Sequence, residues 1–206
     1  CDWSSDVCSS DLGTSGQVLT TQGAGANPTW TTPSSGSWVY LSSAAAFGSS
    51  GVDFTGFVSS TYFSYALVVS GMNLTGGASY GGIRVYVGGV LQTGADYNDA
   101  GFYTDNGGSG LLARNSSNAT AMRITNATNL KQSGIIFFNA NNFNSLSGDA
   151  RPVFVSNIGG GGGTSTVTTY YTIGNYNTAS ALTGIRMYGV GGTIDGYFYL
   201  YGIKAS

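Results

Sequence analysis

From Ser37 onward, short apolar runs alternate with clusters of glycine, serine and asparagine. The runs are rich in aromatic and β-branched residues, which suit a pleated, half-buried strand. They predict strands at Trp38–Leu41, Val52–Phe54, Tyr62–Val69, Ile83–Val87, Gly101–Tyr103, Met122–Thr125, Gly134–Asn139, Val153–Ser156, Thr168–Ile173, Gly184–Tyr188 and Thr193–Ile203. No segment carries a capped period of 3.6 residues, and Ala44–Ala46 is too short for a helix. Many short strands without helices predict an all-β fold, an antiparallel β-sandwich or jelly roll. A β-helix would need a regular repeat. The one internal echo is Gly82-Ile-Arg-Val-Tyr86 against Gly184-Ile-Arg-Met-Tyr188, which two equivalent strands or chance would produce.

In the last run, Tyr197, Tyr199 and Tyr201 share one strand face, and Phe198 and Leu200 share the other. The apolar face is expected to line the core and the tyrosine face to form an interface or a half-wet surface. Asp195-Gly196 before it reads as a bulge or a tight turn.

Composition narrows the chemistry. The chain has 206 residues, no histidine, and only aspartate among its nine acidic residues. Ser-His-Asp, Cys-His, zinc–histidine and paired-glutamate chemistries therefore lack their groups. A pH switch is not expected, because no unperturbed side chain titrates between about pH 5 and 8. Charged residues make up 8%, far below the usual quarter, so Ser, Thr, Asn, Gly and Tyr must cover the surface. With 41% hydrophobic and 13% aromatic residues, the chain is not a disordered polar one.

Cys1 to Leu12, CDWSSDVCSSDL, matches nothing after it. Asp2 to Leu12 resembles the in-frame translation of a common sequencing-library adapter, so residues 1–12 are read as foreign. Both cysteines and three aspartates lie there, leaving seven basic and six acidic groups in the rest. No disulfide framework follows. The seven basic residues are spread along the chain, so no nucleic-acid partner and only slight charge steering are expected. No apolar run reaches about 18 residues, so no membrane insertion is expected. Residues 13–36, with Pro28 and Pro33, read as a linker holding one short strand and a turn. Residues 37–206 read as the β-domain.

Gly16-Gln-Val-Leu-Thr-Thr-Gln-Gly-Ala-Gly-Ala-Asn-Pro-Thr-Trp30 resembles a motif of bacteriophage tail-fibre proteins that links shaft to C-terminal head. The opening Trp38-Val-Tyr-Leu41 and the ending Phe198-Tyr-Leu-Tyr-Gly-Ile-Lys204 are similar to such heads. The resemblance implies a homotrimeric virion fibre outside the cell. Its distal β-sandwich would bind a bacterial surface polysaccharide or outer-membrane protein. From the residues, with no glutamate for an acid/base pair, neither enzymatic activity nor a cofactor is expected. No receptor-contacting residues carry over. Three rival readings stand: a capsule depolymerase, a structural collar, and a carbohydrate-binding module of a secreted enzyme.

The residues themselves suggest sites. Asp96 to Gly108 is the densest polar stretch and reads as a loop, with Asp96, Asn98, Asp99 and Asp105 as oxygen donors for calcium. The spacing departs from an EF-hand loop, and turn-forming side chains are the plainer reading. Candidate receptor contacts are Asp99 and the aromatics Tyr97, Phe102, Tyr103, Tyr170, Tyr171 and Tyr176, although for any single ring a place in the core or a trimer interface is the plainer reading. Gly159–Gly163 reads as a mobile hairpin loop or a contacting tip. Trp30, Tyr197, Tyr199 and Tyr201 are trimer-interface candidates, and Trp38 is expected to anchor the core. Arg84, Arg123 and Arg186 are expected on a solvent face or paired with aspartate across an interface.

Overall fold

The computed structural model describes residues 13–32, 37–104, 111–125, 130–140, 152–162 and 166–204. The adapter-like segment 1–12, Asp105 and Gly163 lie outside the described residues. The chain divides into two units, Cys1–Gly36 and Ser37–Ser206. In the first, β1 (Val18–Thr20) pairs antiparallel with β2 (Thr29–Thr31), making a hairpin where one strand was expected.

The second unit is all β. It comprises β3 (Trp38–Ser49), β4 (Val52–Thr55), β5 (Ser64–Thr75), β6 (Tyr80–Val87), β7 (Val90–Leu91), β8 (Tyr97–Thr104) and β9 (Leu111–Ala119). It continues through β10 (Met122–Thr125), β11 (Lys131–Phe138), β12 (Val153–Gly162), β13 (Thr166–Tyr176), β14 (Leu182–Val190) and β15 (Thr193–Ile203). An eight-stranded sheet has the order β3-β15-β5-β11-β12-β13-β8-β9. A five-stranded sheet has the order β10-β6-β14-β4, with β7 on β6. All pairings are antiparallel, and the fold is a β-sandwich of unequal sheets.

Period-two alternation builds the core. Leu67 and Val69 of β5, Ile136 and Phe138 of β11, and Phe198 and Leu200 of β15 face Ile83, Val85, Ile185 and Met187 of the smaller sheet. Neighbouring strands bring Tyr65, Phe138 and Phe154 into a ladder, with ring centroids 5.5 and 5.4 Å apart and nearly parallel planes. β5 carries a bulge at Gly71, whose φ of 62° suits glycine. Its freed N–H donates to Ser133 Oγ at 3.0 Å. Against β15, Asn73 to Ser70 covers three steps of β5 where Asp195 to Tyr197 covers two, so the extra residue belongs to β5. Asp195-Gly196, expected as a bulge or tight turn, lies within strand β15 opposite it.

Three local expectations change. The polar stretch after Asp96 is not a loop: Tyr97–Thr104 is strand β8, paired on both edges. Leu111–Ala119, polar and without alternation, forms the edge strand β9. Gly159–Gly162 belongs to strand β12 rather than to a loop. Glycine is needed there for close approach, since a Cβ on Gly160 would collide with the Lys131 carbonyl oxygen.

Candidate functional site

Strand β8 holds Tyr97, Asp99, Phe102 and Tyr103 of the receptor-contact candidates and Asn98 of the calcium set, and its pleat sorts them onto two faces. Tyr97 and Asp99 turn inward, while Asn98, Ala100 and Phe102 turn outward.

The inward residues are structural. Asp99 Oδ1 accepts from Arg114 Nη2 of β9 at 2.8 Å, and its Oδ2 accepts the Arg123 N–H of β10 at 3.0 Å. Arg114 Nη2 also donates to the Arg123 carbonyl at 2.9 Å. One buried ion pair thus ties two strands of the large sheet to an edge of the small one. Burial lowers the Arg114 pKa from its usual value, and the Asp99 charge opposes that shift. The Tyr97 hydroxyl donates to the Gln92 carbonyl at 2.9 Å and accepts from the Val85 N–H at 3.0 Å. Burial pushes this phenol far above its ordinary pKa, although the Val85 N–H lowers it somewhat. Tyr176 packs on Tyr97 at 5.2 Å and donates to Gln92 Oε1 at 3.3 Å. Tyr170 is buried and stacks on Tyr103 of the neighbouring strand at 5.5 Å.

Tyr97, Asp99, Tyr170 and Tyr176 are therefore corrected from surface contacts to buried residues, because strand alternation turns them toward the core. Tyr103 is half-buried in the stack with Tyr170. The calcium set does not come together either. Asn98 and Asp99 point to opposite faces of β8, Asp99 is engaged by Arg114, and Asp105 lies outside the described residues. Among the described residues no three acidic, cysteine or histidine side chains converge, Asp96 included.

The outward face of the same strands forms an open trough of about 560 Å³. It is lined by polar Asn98, Asn115, Ser117 and Asn175 and apolar Ala100, Val153 and Ile173, and the buried Asp99 also borders it. Cross-strand register assembles it: Ile173 lies opposite Ala100, Ala100 opposite Asn115, and Asn175 opposite Asn98. A bulge in β9 sets its corner. Ser117 and Asn118 together oppose Asn98, and Asn118 takes a φ of 53°, which asparagine tolerates better than most residues. Asn98 Oδ1 holds that turn by accepting the Asn118 N–H at 3.1 Å.

One step along the strands, Tyr171 and Phe102 form an exposed cross-strand pair, 42% and 49% accessible. Carboxamides that both donate and accept, beside apolar side chains and two open rings, suit a ligand with hydroxyls on its edge and C–H groups on its faces. The volume falls in the range of small-molecule sites, roughly 300–1,000 Å³.

The other end of this sheet face is aromatic. Tyr197, Tyr199 and Tyr201 of β15 point outward, with Tyr197 48% exposed. Phe47 meets Tyr197 edge-on at 5.7 Å, and Tyr40 and Trp38 each meet Tyr201 at 5.9 Å. Trp38 is corrected from core anchor to surface: it pairs with Ile203, two residues from Tyr201 on the same face, and remains 45% exposed. A single register row runs from Tyr40 through Tyr201, Phe137 and Ile173 to Asn115, joining the aromatic end to the trough. Trp30 lies in β2 of the first unit, partly exposed.

Asn115, Ser117 and Asn175 were not foreseen from the sequence. They come together only through the β8–β9 and β8–β13 pairings, and Asn115 sits in the strand that shows no alternation. No protein-family model, curated protein sequence or solved structure matches the chain.

Proposed function

We propose that this chain is the distal adhesion region of a bacteriophage tail fibre. It binds a bacterial surface glycan in the trough between β9, β8 and β13, without catalysing a reaction. The observation that carries this reading is the trough itself, with three asparagines, a serine and apolar residues in its lining, beside Tyr171 and Phe102. Pockets that select neutral sugars need this mixture, and a sheet holds it in place with little ordering cost on binding. The bulge at Asn118 supports the same reading, because bulges re-aim side chains at sites.

The aromatic end of the face supports self-association. Contiguous exposed apolar surface marks interaction sites, and trimerisation through Tyr40, Tyr197 and Tyr201 would cover it. Three weak sites on one particle would raise avidity by roughly 10² to 10⁴ over one site.

The test is a glycan array probed with labelled full-length chain, followed by a panel of bacterial strains. Binding to neutral surface glycans, lost in Asn115→Ala and Tyr171→Ala while thermal melting is unchanged, is the expected result. Failure to label any glycan or strain sinks the proposal. Loss of polymer viscosity on incubation would replace it with the depolymerase reading.

A further inference from the structure

We propose that the outer face of the five-stranded sheet is a second binding surface, specific for an anionic saccharide polymer. Strands β10, β6, β14 and β4 send Met122, Ile83, Ile185 and Phe54 into the core. The alternate positions, Arg123, Arg84, Arg186 and Asp53, face out. The register makes this a cluster. Arg84 lies directly opposite Arg186, and Arg186 directly opposite Asp53. Arg123 lies opposite Gly82, one diagonal step from Arg84. Directly opposed and diagonal positions put Cβ atoms about 5 and 7 Å apart, so three cations occupy one small area.

Two of the three guanidiniums sit over tyrosine rings. Arg123 lies 4.1 Å from the Tyr80 ring centroid and Arg84 lies 4.7 Å from that of Tyr188. Arg84 Nε donates to the Thr120 carbonyl at 2.8 Å. Arg186 sits 3.7 Å from the Asp53 carboxylate, which also accepts the Tyr86 hydroxyl at 2.7 Å. Among the described residues, Asp53 is the one carboxylate that faces out beside these three guanidiniums.

Like charges directly opposite one another on a sheet are unfavourable. The internal echo noted in the sequence creates this opposition, since Gly82–Tyr86 and Gly184–Tyr188 pair antiparallel about the two arginines. A partner with negative charge would relieve it. Stacked guanidiniums keep their N–H edges free for bidentate bonds to carboxylate or sulfate oxygens. Three cations over two rows and three strands match charges repeated along a polymer better than one small anion. Tyr188 is buried and its ring, like that of Tyr80, is covered by an arginine, so recognition here is electrostatic. This surface lies on the opposite side of the sandwich from the trough, and the inference does not rest on the trough reading.

The test is titration calorimetry of the full chain with polygalacturonate, dextran sulfate, neutral dextran and monomeric galacturonate. Both anionic polymers are expected to bind at low salt, about tenfold more weakly at about 200 mM salt, and neutral dextran and the monomer not measurably. Arg84→Gln, Arg123→Gln and Arg186→Gln should each weaken polymer binding about tenfold. The corresponding lysine variants keep the charge but lose the stacked bidentate edge, so they should fall between the parent and the glutamine variants, and Asp53→Asn should strengthen binding. Thermal melts check that each variant folds, and Asp53→Asn works in the opposite direction to any unfolding. Absence of polymer binding at low salt overturns the proposal, as does affinity indifferent to all three glutamine variants. If those variants change the solution mass instead, the face is a contact between copies of the chain, and the proposal falls.

Discussion

The two outer faces of this sandwich are made from the same material, antiparallel strands with a two-residue pleat, yet they present opposite chemistry. The trough face carries its polarity as the amides of Asn98, Asn115 and Asn175 and continues into exposed rings. The other face gathers three arginines around one aspartate. The difference arises from register rather than composition. A chain only 8% charged can still concentrate charge where three neighbouring strands place arginine on the same side. The expectation of slight charge steering, drawn from seven basic residues spread along the sequence, is what salt dependence of binding to this face would test.

The largest expected effect comes from breaking what lies between the faces. Asp99 and Arg114 tie β8 and β9, two strands of the trough, to β10, which carries Arg123. Asp99→Ala leaves the Arg114 guanidinium buried without its counter-charge, at a cost of about 3–5 kcal/mol. Denaturant unfolding should read that loss, and in the folded fraction both faces should bind more weakly. A melt within a degree of the parent would mean that the two faces are held apart by other contacts.

Tyr97→Phe should follow, at about 1–3 kcal/mol, because it strands the Val85 N–H and the Gln92 carbonyl in the core. Thermal melting measures it. Unlike Asp99→Ala, it should leave both affinities unchanged once the protein is folded, since neither face uses that hydroxyl.

Smaller again is the test of the faces themselves. Tyr171→Ala should cost about 0.5–1.5 kcal/mol of neutral-glycan affinity and nothing in stability, with little dependence on salt. Anionic-polymer binding should respond to salt and ignore Tyr171. Measuring both ligands at two ionic strengths gives four numbers. If salt weakens both ligands alike, the contrast between the faces collapses.

How much of this was visible in the sequence follows from the same contrast. The period-two runs located the core strands, and the Phe198/Leu200 against Tyr197/Tyr201 alternation was legible because both sets are strong and contiguous. Tyr97 and Asp99 stand out in the sequence because Asp and Asn neighbours look like a loop, and Tyr170 and Tyr176 because they lie near the glycine run, whereas strand alternation turns all four inward. A buried carboxylate is tolerated only when a partner such as Arg114, from a strand that sequence did not reveal, satisfies it. The trough was illegible for a related reason. Its amides lie on three strands, and only pairing brings them together. The arginine face was half legible: the repeated Gly-Ile-Arg motif was visible, but not that its two copies are adjacent and in register.

The smallest expected effect is an absence of response, and it sharpens the comparison because pH and salt should then act differently. The chain has no histidine, and no ordinary side-chain pKa of the described residues falls between about pH 5 and 8. Stability and the binding of both faces should be flat across that window. Above it, stability should fall. Burial raises the Tyr97, Tyr188 and Tyr65 phenols above their unfolded value of 10.0, with Arg84 partly opposing this at Tyr188 and the Ser59 backbone at Tyr65. Below about pH 10 the phenol is neutral in both states and costs nothing. As pH rises past 10, the unfolded chain ionises first, so the unfolded state gains and stability is lost until the folded pKa is passed. Melting curves across pH should therefore show a plateau followed by an alkaline decline, shallower in Tyr97→Phe than in the parent. A decline that begins near neutrality would require a titrating group that neither face contains.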